Sequence, residues 1–166
     1  MNTDTFLELP AKKAVTPYVR WMILRDMPEV TSIENQQYGN PWTKDEFVQC
    51  LRTPGIIGQV AELREEIHGY MMYELHQDHF RLLNLAVHPC SLRCGIGEAM
   101  VTKLTNKLTH LRRTRIVCEV RETNLRGQLF FRSMGFVCTN VLKGFYDDAP
   151  DDAYVFEYSL PECGGK

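Results

Sequence analysis

The chain has 166 residues, of which 44% are hydrophobic and 24% charged, and its 19 basic and 21 acidic side chains give a net charge of −2. This length fits one domain, and the composition is too apolar for a disordered chain and lacks the periodic Gly or Pro of fibrous proteins. The near-neutral charge argues against a nucleic-acid-binding protein, which carries a basic excess on its binding face.

No stretch of the sequence predicts membrane insertion or export. The longest apolar run, Leu82–Val87, has Asn84 inside it and is far shorter than the ~20 residues of a membrane span. Residues 1–13 lack the basic start and the apolar stretch of a signal peptide. We therefore expect a cytoplasmic protein, a monomer or homodimer that contacts neither membrane nor nucleic acid.

The six cysteines do not form a disulfide or metal-binding pattern. The closest pair, Cys90 and Cys94, is separated by three residues, and neither a second pair nor a His-x-x-x-His motif accompanies it. We expect reduced thiols, including the one at Cys163, and no metal.

The first half of the chain predicts a strand, two helices and three further strands. After an N-terminal extension over 1–17, a β-rich run predicts a strand over 18–24. Asp26 can cap a helix that ends near Gly39, and Thr43 with Glu46 three residues later predicts the capping box of a second helix. Strands follow over 56–63, 67–75 and 80–87, and the last is apolar almost throughout, which is typical of a central strand covered on both faces.

The second half alternates between helical and strand periods. Apolar residues at helical spacing from Ile96 to Leu111 predict a helix, and 115–121 predicts a strand. A short helix from about Asn124 to Met134 precedes Gly135, and two strands follow over 136 to about 145 and 154–160. The order βααβββαβαββ predicts a mixed sheet covered by helices, in one α/β domain over 18–160 with a tail over 161–166.

The loop between the apolar strand and the next helix predicts an anion site. Gly95 and Gly97 let the backbone approach a ligand, and the free first-turn N–H groups favour an anion, beside the positive charge of Arg93. Glycines needed only for a tight helix entry are the alternative. Two nucleotide motifs fit poorly, because the Lys-Ser/Thr of the ATP-binding P-loop is missing and Met100 stands where the dinucleotide fingerprint needs a small residue.

Several motifs, in the right order and spacing, resemble those of the GCN5-related N-acetyltransferases. The pieces are Glu34…Pro41-Trp42, Arg93-x-Gly-x-Gly, Glu119-Val-Arg-x-x-Asn124, Phe130-Phe-Arg-Ser-Met-Gly-Phe136 and Lys143-Gly-Phe-Tyr146…Tyr154. Within that family the chain is most similar to the ribosomal-protein-alanine N-acetyltransferases and other protein N-terminal acetyltransferases, from about Tyr18 to Leu160. The resemblance implies a mixed, mostly antiparallel sheet of six to seven strands with about four helices.

The resemblance also implies acetyl-CoA as co-substrate, with no metal. Its pyrophosphate would bind the backbone N–H groups of the loop, namely Arg93, Cys94, Gly95, Ile96, Gly97 and Glu98. The backbone of Leu85, Ala86 and Val87 would bind the pantetheine arm and polarise the thioester carbonyl. Asn124 would also contact the cofactor; a plain helix N-cap is the alternative reading.

By the same resemblance Glu119 is the general base that removes a proton from the attacking amine. The strand alternation turns Glu119 away from its apolar neighbours Cys118 and Val120, and the alternative is a solvated carboxylate paired with Arg121. The family's general acid, a tyrosine, is replaced by Phe131, which cannot donate a proton. Water can protonate the departing CoA thiolate without a dedicated acid, and Tyr146 or Tyr154 is the alternative donor. A second departure is Leu92, where the family usually has Gln or Arg.

Two aromatic segments would form the walls of the acceptor groove, one at Pro41-Trp42 and one at Phe145-Tyr146. The nearby aspartates 147, 148, 151 and 152 would make the rim acidic and favour cationic N-termini, unless they form only a solvated turn. We expect acetyl transfer to the N-terminal α-amine of a protein or peptide by direct attack in a ternary complex. The alternatives are a small-molecule amine acetyltransferase, and a catalytically weak CoA-binding regulatory module.

Overall fold

A computed structural model describes residues 16–161, which contain seven strands and four α-helices. The elements are β1 Tyr18–Trp21, α1 Met27–Gln37, α2 Lys44–Arg52, β2 Ile56–Leu63, β3 Glu66–Leu75, β4 His79–Val87, α3 Ile96–Thr105, β5 Arg115–Arg121, α4 Leu125–Ser133, β6 Val137–Leu142 and β7 Ala153–Ser159. Most of the predicted extension and tail, and Cys163, lie outside the described residues.

The strands form one sheet in the order β1-β2-β3-β4-β5-β7-β6. Every neighbouring pair is antiparallel except β4 and β5, which are parallel. The crossover that parallel pairing requires is supplied by α3. The predicted mixed, mostly antiparallel sheet with about four helices is confirmed.

Helices cover both faces of the sheet, and each face has its own core. One core includes Met71, Leu82 and Cys118 and packs under α3 and α4. The other includes Val60, Tyr70 and Met72 and packs under α1 and α2. This double cover explains why β4 is apolar on both faces, as the sequence predicted.

The central parallel pair separates partway along its length. β4 and β5 are paired only between 79–82 and 115–118. The register of β4 against β3 shifts at the same level, where Met72 lies opposite Asn84 but Tyr73 lies opposite Leu82. The extra residue at position 83 is a β-bulge, which bends a strand. Beyond it, 83–87 of β4 and 119–121 of β5 are not paired with each other, and we call the gap between them the β4–β5 cleft.

The capping box predicted for α2 is confirmed. The Thr43 side chain accepts a hydrogen bond from the Glu46 N–H at 3.3 Å, and the Glu46 carboxylate accepts one from the Thr43 N–H at 2.6 Å. Two otherwise unpaired N–H groups are thereby satisfied, which fixes where the segment after Pro41 turns into the helix.

Three predicted element ends were wrong. β1 ends at Trp21 rather than at 24, because 24–26 form a 3₁₀ turn. β6 ends at Leu142 rather than at 145. α3 ends at Thr105, although Leu108 is still buried; Leu111, the last residue of the apolar stripe, is 99% exposed. A stripe predicts a helix only while its residues have a surface to cover.

Candidate functional site

The β4 edge offers backbone groups to the β4–β5 cleft at alternate residues. The His88 N–H donates to the His68 carbonyl at 2.8 Å, which marks a hydrogen-bonded pair of the β3–β4 ladder. Because such pairs alternate along antiparallel strands, Ala86 faces β3, whereas Leu85 and Val87 turn their N–H and C=O groups toward the cleft. The predicted backbone role fits Leu85 and Val87 but not Ala86, whose backbone belongs to the ladder.

The end of α1 already contacts both cleft-facing carbonyls. The Tyr38 hydroxyl donates to the Leu85 carbonyl at 2.5 Å, and the Gln37 amide donates to the Val87 carbonyl at 2.6 Å. Burial raises the pKa of Tyr38, so it keeps its proton as a donor. The N–H groups of Leu85 and Val87 are then the ones available to a ligand. Sequence reasoning missed Gln37 and Tyr38 because about fifty residues separate them from β4.

The loop before α3 is the predicted anion site, and we call its residues 93–98 the anion cradle. Gly95 has φ +86° and precedes the helix without a side-chain cap, and Arg93 also has a positive φ of +62°. The first helical bond runs from the Ala99 N–H to the Gly95 carbonyl at 2.9 Å. The N–H groups of 96–98 precede this bond and lie at the positive end of the helix dipole. Together with the exposed Arg93, they fit the pyrophosphate that the sequence predicted.

Gly97 is small for packing reasons. A Cβ atom at this position would lie 3.2 Å from the ring of Phe130 on α4 and 3.7 Å from Val87. Close packing of α3 against α4 is therefore one reason for a glycine at position 97. Of these two glycines, Gly95 has the left-handed conformation that favours glycine and Gly97 does not.

Asn124 is the N-cap of α4. Its Oδ1 accepts a hydrogen bond from the Gly127 N–H at 2.9 Å. A cap uses the oxygen only, so Nδ2 is the atom through which Asn124 would contact a cofactor. Asn124 can therefore cap α4 through Oδ1 and contact a cofactor through Nδ2 in the same conformation.

Phe131 is part of the core rather than of a polar site. It is 7% exposed, and its ring lies 5.2 Å from that of Phe130 and 5.1 Å from that of Phe136. Tyr154 packs against the same core and lies opposite Val120. Tyr146 is in contact with Arg121, on the face of β5 that carries Glu119.

Glu119 forms an ion pair with Arg81 of β4. Its Oε2 accepts from Arg81 Nε at 3.3 Å, and its Oε1 lies 3.1 Å from Arg81 Nη2. The alternation predicted for β5 is confirmed, because Ile116 and Cys118 are buried and Glu119 lies on the other face. The alternative pairing with Arg121 is wrong, and sequence reasoning missed Arg81.

Arg121 instead anchors the loop between β6 and β7. Its guanidinium lies 2.7 Å from Asp148 and 2.9 Å from Asp151, and it stacks on the Tyr146 ring at 3.9 Å. Burial raises the pKa of Tyr146, whereas the Arg121 charge opposes the rise. Phe145 packs edge-on against Tyr146, with ring centroids 5.1 Å apart.

The aspartates of this loop are partly compensated by two cations. Asp148 and Asp151 pair with Arg121, and Asp152 pairs with Lys143 at 2.5 Å. Two positive charges against the four aspartates leave a net charge of −2, so the loop is less acidic than four free carboxylates would make it. The acidic rim and the solvated turn both stay predictions.

The Pro41-Trp42 wall is held by a buried carboxylate. Glu34 of α1 is 1% exposed, and its Oε1 accepts from the Trp42 N–H at 2.8 Å and from Asn84 Nδ2 at 3.2 Å. The Tyr70 hydroxyl donates to the other oxygen. The Trp42 ring packs on Phe47 at 5.3 Å. Trp42 thus packs partly in the core and partly at the surface beside the cleft. Asn84, which donates to the same Glu34 oxygen as the Trp42 N–H, links this wall to β4.

The remaining candidates lie away from the cleft. His76 and His79 stack 4.4 Å apart in the β3–β4 turn. No group of three or more His, Cys, Asp or Glu within 16–161 has the geometry to hold a metal ion. Burial raises the pKa of the Cys118 thiol well above its usual range. None of the helices within 16–161 has the length and apolarity needed to cross a bilayer.

The chain is similar to known proteins in sequence and in fold. A Bacillus subtilis (strain 168) protein, provisionally named a [ribosomal protein bS18]-alanine N-acetyltransferase, is 27% identical over 145 residues, 87% of this chain and 96% of the relative. The crystal structure of the ribosomal-protein-S18-alanine N-acetyltransferase from Escherichia coli superimposes with a TM-score of 0.77 at 20% identity, covering 90% of this chain and 97% of that one. Arabidopsis thaliana NAA60 in complex with acetyl-CoA gives 0.73 at 17% identity, covering 87% and 99%.

These two structures share the fold of this chain. A sequence model of the acetyltransferase (GNAT) family matches residues 18–136, most of the described part. That range includes the β4–β5 cleft, the loop before α3 and the N-cap of α4. The chain therefore belongs to the acetyltransferase (GNAT) family.

Proposed function

We propose that this protein transfers acetyl from acetyl-CoA to the N-terminal α-amine of a protein, by direct attack in a ternary complex with Glu119 as general base. The observation that carries the proposal is the β4–β5 cleft. It has backbone N–H groups of Leu85 and Val87 on one side, Glu119 on the other, and the anion cradle of α3 beside it. Names of relatives add the acceptor class, the N-terminus of a ribosomal protein such as bS18.

The chain's own groups fit acetyl-CoA. The pyrophosphate would lie on the N–H groups of 96–98 near Arg93, and Asn124 Nδ2 would contact the cofactor from α4. When bound, acetyl-CoA supplies a thioester whose acyl group is activated for attack by an amine. The N–H groups of Leu85 and Val87 lie about 7 Å apart along the strand, so one would bind the pantetheine arm and the other would stabilise negative charge on the carbonyl oxygen. That stabilisation is worth about 3–4 kcal/mol per donor in other enzymes.

Glu119 is our candidate for the proton acceptor. An α-amine has a pKa near 8 and must be neutral to attack, so a base has to take its proton, directly or through water. Glu119 is 17% exposed and borders the cleft at the first residue of β5 beyond the paired segment. Tyr146, on the same face, is our candidate for protonating the departing sulfur in place of the tyrosine that Phe131 replaces.

The test is acetyl transfer to short peptides with free N-termini, and to N-terminally blocked peptides that contain lysine, read by mass spectrometry. We expect acetate on the α-amine, with a preference at the first residues. Transfer to polyamines alone would favour a small-molecule amine acetyltransferase. Tight acetyl-CoA binding with no transfer to any amine would favour the regulatory module that Phe131 suggests.

Two variants test the role of Glu119. Glu119→Gln should lower kcat at neutral pH by about 100-fold or more, while acetyl-CoA affinity changes little. Glu157→Gln is a matched control, because Glu157 is also a strand carboxylate paired with an arginine, 22% exposed and 3.4 Å from Arg115. Equal wild-type and Glu119→Gln rates across pH 6–9 would remove Glu119 as the base.

A further inference from the structure

We infer that Arg81 is the positioning residue of this site, which holds the Glu119 carboxylate at the point where the cleft opens. The inference rests on the proposed function, in which Glu119 takes the proton. Arg81 reaches one carboxylate oxygen through Nε at 3.3 Å and the other through Nη2 at 3.1 Å. A guanidinium that contacts both oxygens fixes the plane of a carboxylate as well as its position.

The position of the pair in the sheet supports this role. Arg81 lies near the end of the part of β4 that pairs with β5, level with Val117. Glu119 follows Cys118, the last residue of β5 that pairs with β4. The ion pair therefore bridges the two strands immediately before they separate. Glu119 is anchored to the closed part of the sheet while its remaining lone pairs border the open part.

Arg121, the other nearby arginine, is engaged elsewhere. It lies on the same face as Glu119, two residues along β5, but pairs with Asp148 and Asp151 and stacks on Tyr146. Arg81 is thus the cation that the geometry assigns to Glu119. The Arg81 and Glu119 side chains are 37% and 17% exposed, so the pair is accessible from the cleft.

Positioning matters here because a general base acts over a short range. The oxygen that receives the proton must lie about 2.6–3.2 Å from its donor, and a misplacement of about 1 Å can cost about 100-fold in rate. Without Arg81, the Glu119 side chain can rotate freely at the cleft border. The expected defect is therefore in kcat, and the backbone groups that would bind acetyl-CoA are unchanged.

The experiment compares wild type, Arg81→Met, Arg81→Lys and a matched control, Arg115→Met. Arg115 is also a strand arginine, 38% exposed and paired with Asp78 at 2.7 Å, but it lies at the opposite end of β5. Arg81→Met should lower kcat for peptide acetylation by about 10- to 100-fold, with KM for acetyl-CoA within about twofold of wild type. Arg81→Lys keeps the positive charge and should recover part of the loss. Recovery should be incomplete, because an ammonium cannot contact both oxygens as a fork. Arg115→Met should keep the wild-type kcat.

A double-mutant cycle with Glu119→Gln completes the test. If Arg81 acts through Glu119, Arg81→Met should change the residual rate of Glu119→Gln by less than about twofold. An equal loss in both backgrounds, or an equal loss in Arg115→Met, would overturn the inference while the proposed function stands. Wild-type protein that acetylates no amine would instead overturn the proposed function, and this role of Arg81 with it.

Discussion

The buried carboxylate of Glu34 is the interaction whose removal we expect to damage the fold most near the cleft. Three donors end on it: the Trp42 N–H at 2.8 Å, Asn84 Nδ2 at 3.2 Å and the Tyr70 hydroxyl. They come from the segment before α2, from β4 and from β3. Glu34, which is 1% exposed, thus links the acceptor wall to strands β3 and β4.

Glu34→Ala would leave these donors without an acceptor. Each unpaired buried donor costs about 1–3 kcal/mol, and water can reach the half-buried Trp42 and Asn84, so we expect a total loss of about 3–5 kcal/mol. Glu34→Gln should cost only about 1–2 kcal/mol. Its amide oxygen can keep both bonds made by Oε1, and its NH₂ group can donate to the Tyr70 hydroxyl, which rotates to accept.

Urea unfolding followed by far-UV circular dichroism measures these free energies. Glu29→Gln, exposed on the same helix, is the control and should lie within about 0.5 kcal/mol of wild type. Because Glu34 holds Trp42, Glu34→Ala should also raise the KM of a peptide acceptor more than that of acetyl-CoA, whereas Glu34→Gln, whose amide oxygen keeps the bond from the Trp42 N–H, should not. A loss below about 1 kcal/mol in Glu34→Ala, or equal losses for Ala and Gln, would refute the hydrogen-bond reasoning.

Three further predictions concern the anion cradle, the cap of α4 and the β1 edge. Gly97→Ala should destabilise the protein by about 1–3 kcal/mol in urea unfolding, because its Cβ would press on a ring of α4 at 3.2 Å, whereas Gly39→Ala, with no atom within 4 Å, should not. Asn124→Ala should cost about 1 kcal/mol and weaken acetyl-CoA binding in calorimetry, and Asn124→Ser should restore the stability but not the binding. Burial would raise the pKa of Asp26, but hydrogen bonds from Arg20 and a backbone N–H hold it below the ordinary 3.8. The ionised Asp26 therefore stabilises the fold above pH 3.8, and this contribution is lost as the pH falls below 3.8. Over that range the free energy of unfolding of Asp26→Asn should fall less steeply with pH than that of wild type. An identical slope would contradict the assignment.

Local chemistry made most of the fold predictable. The Thr43–Glu46 capping box, the turn at Gly135 and the helix after Asn124 each depend on residues within one turn of one another, so the sequence alone determines them. The Gly95 turn and the free N–H groups after it are equally local. The candidate anion site could thus be predicted from the six consecutive residues 93–98 and the apolar strand before them.

The boundaries depended on burial, which sequence periodicity represents only indirectly. Leu111 continues the apolar stripe of α3, but no part of the sheet lies beneath it, and the helix ends six residues earlier. Similarly, residues 22–24 have the composition of a strand, but the Met22 N–H makes the last bond to β2, at the Gly58 carbonyl, before the chain enters the 3₁₀ turn. Pairing partners distant in the chain decide such ends.

The cleft itself belongs to the tertiary structure. Arg81 and Glu119 are 38 residues apart, and Tyr38 and Leu85 are 47 apart, so no local pattern indicates that they meet. The bulge at position 83 decides where β4 leaves β5, and the antiparallel ladder decides that Leu85 and Val87, but not Ala86, face the opening. The family, most of the elements and the candidate anion site could be predicted from the sequence, because these arise from short-range geometry. Only the packed sheet decided which charges are paired and which backbone groups remain for a ligand, because those outcomes depend on long-range register and burial.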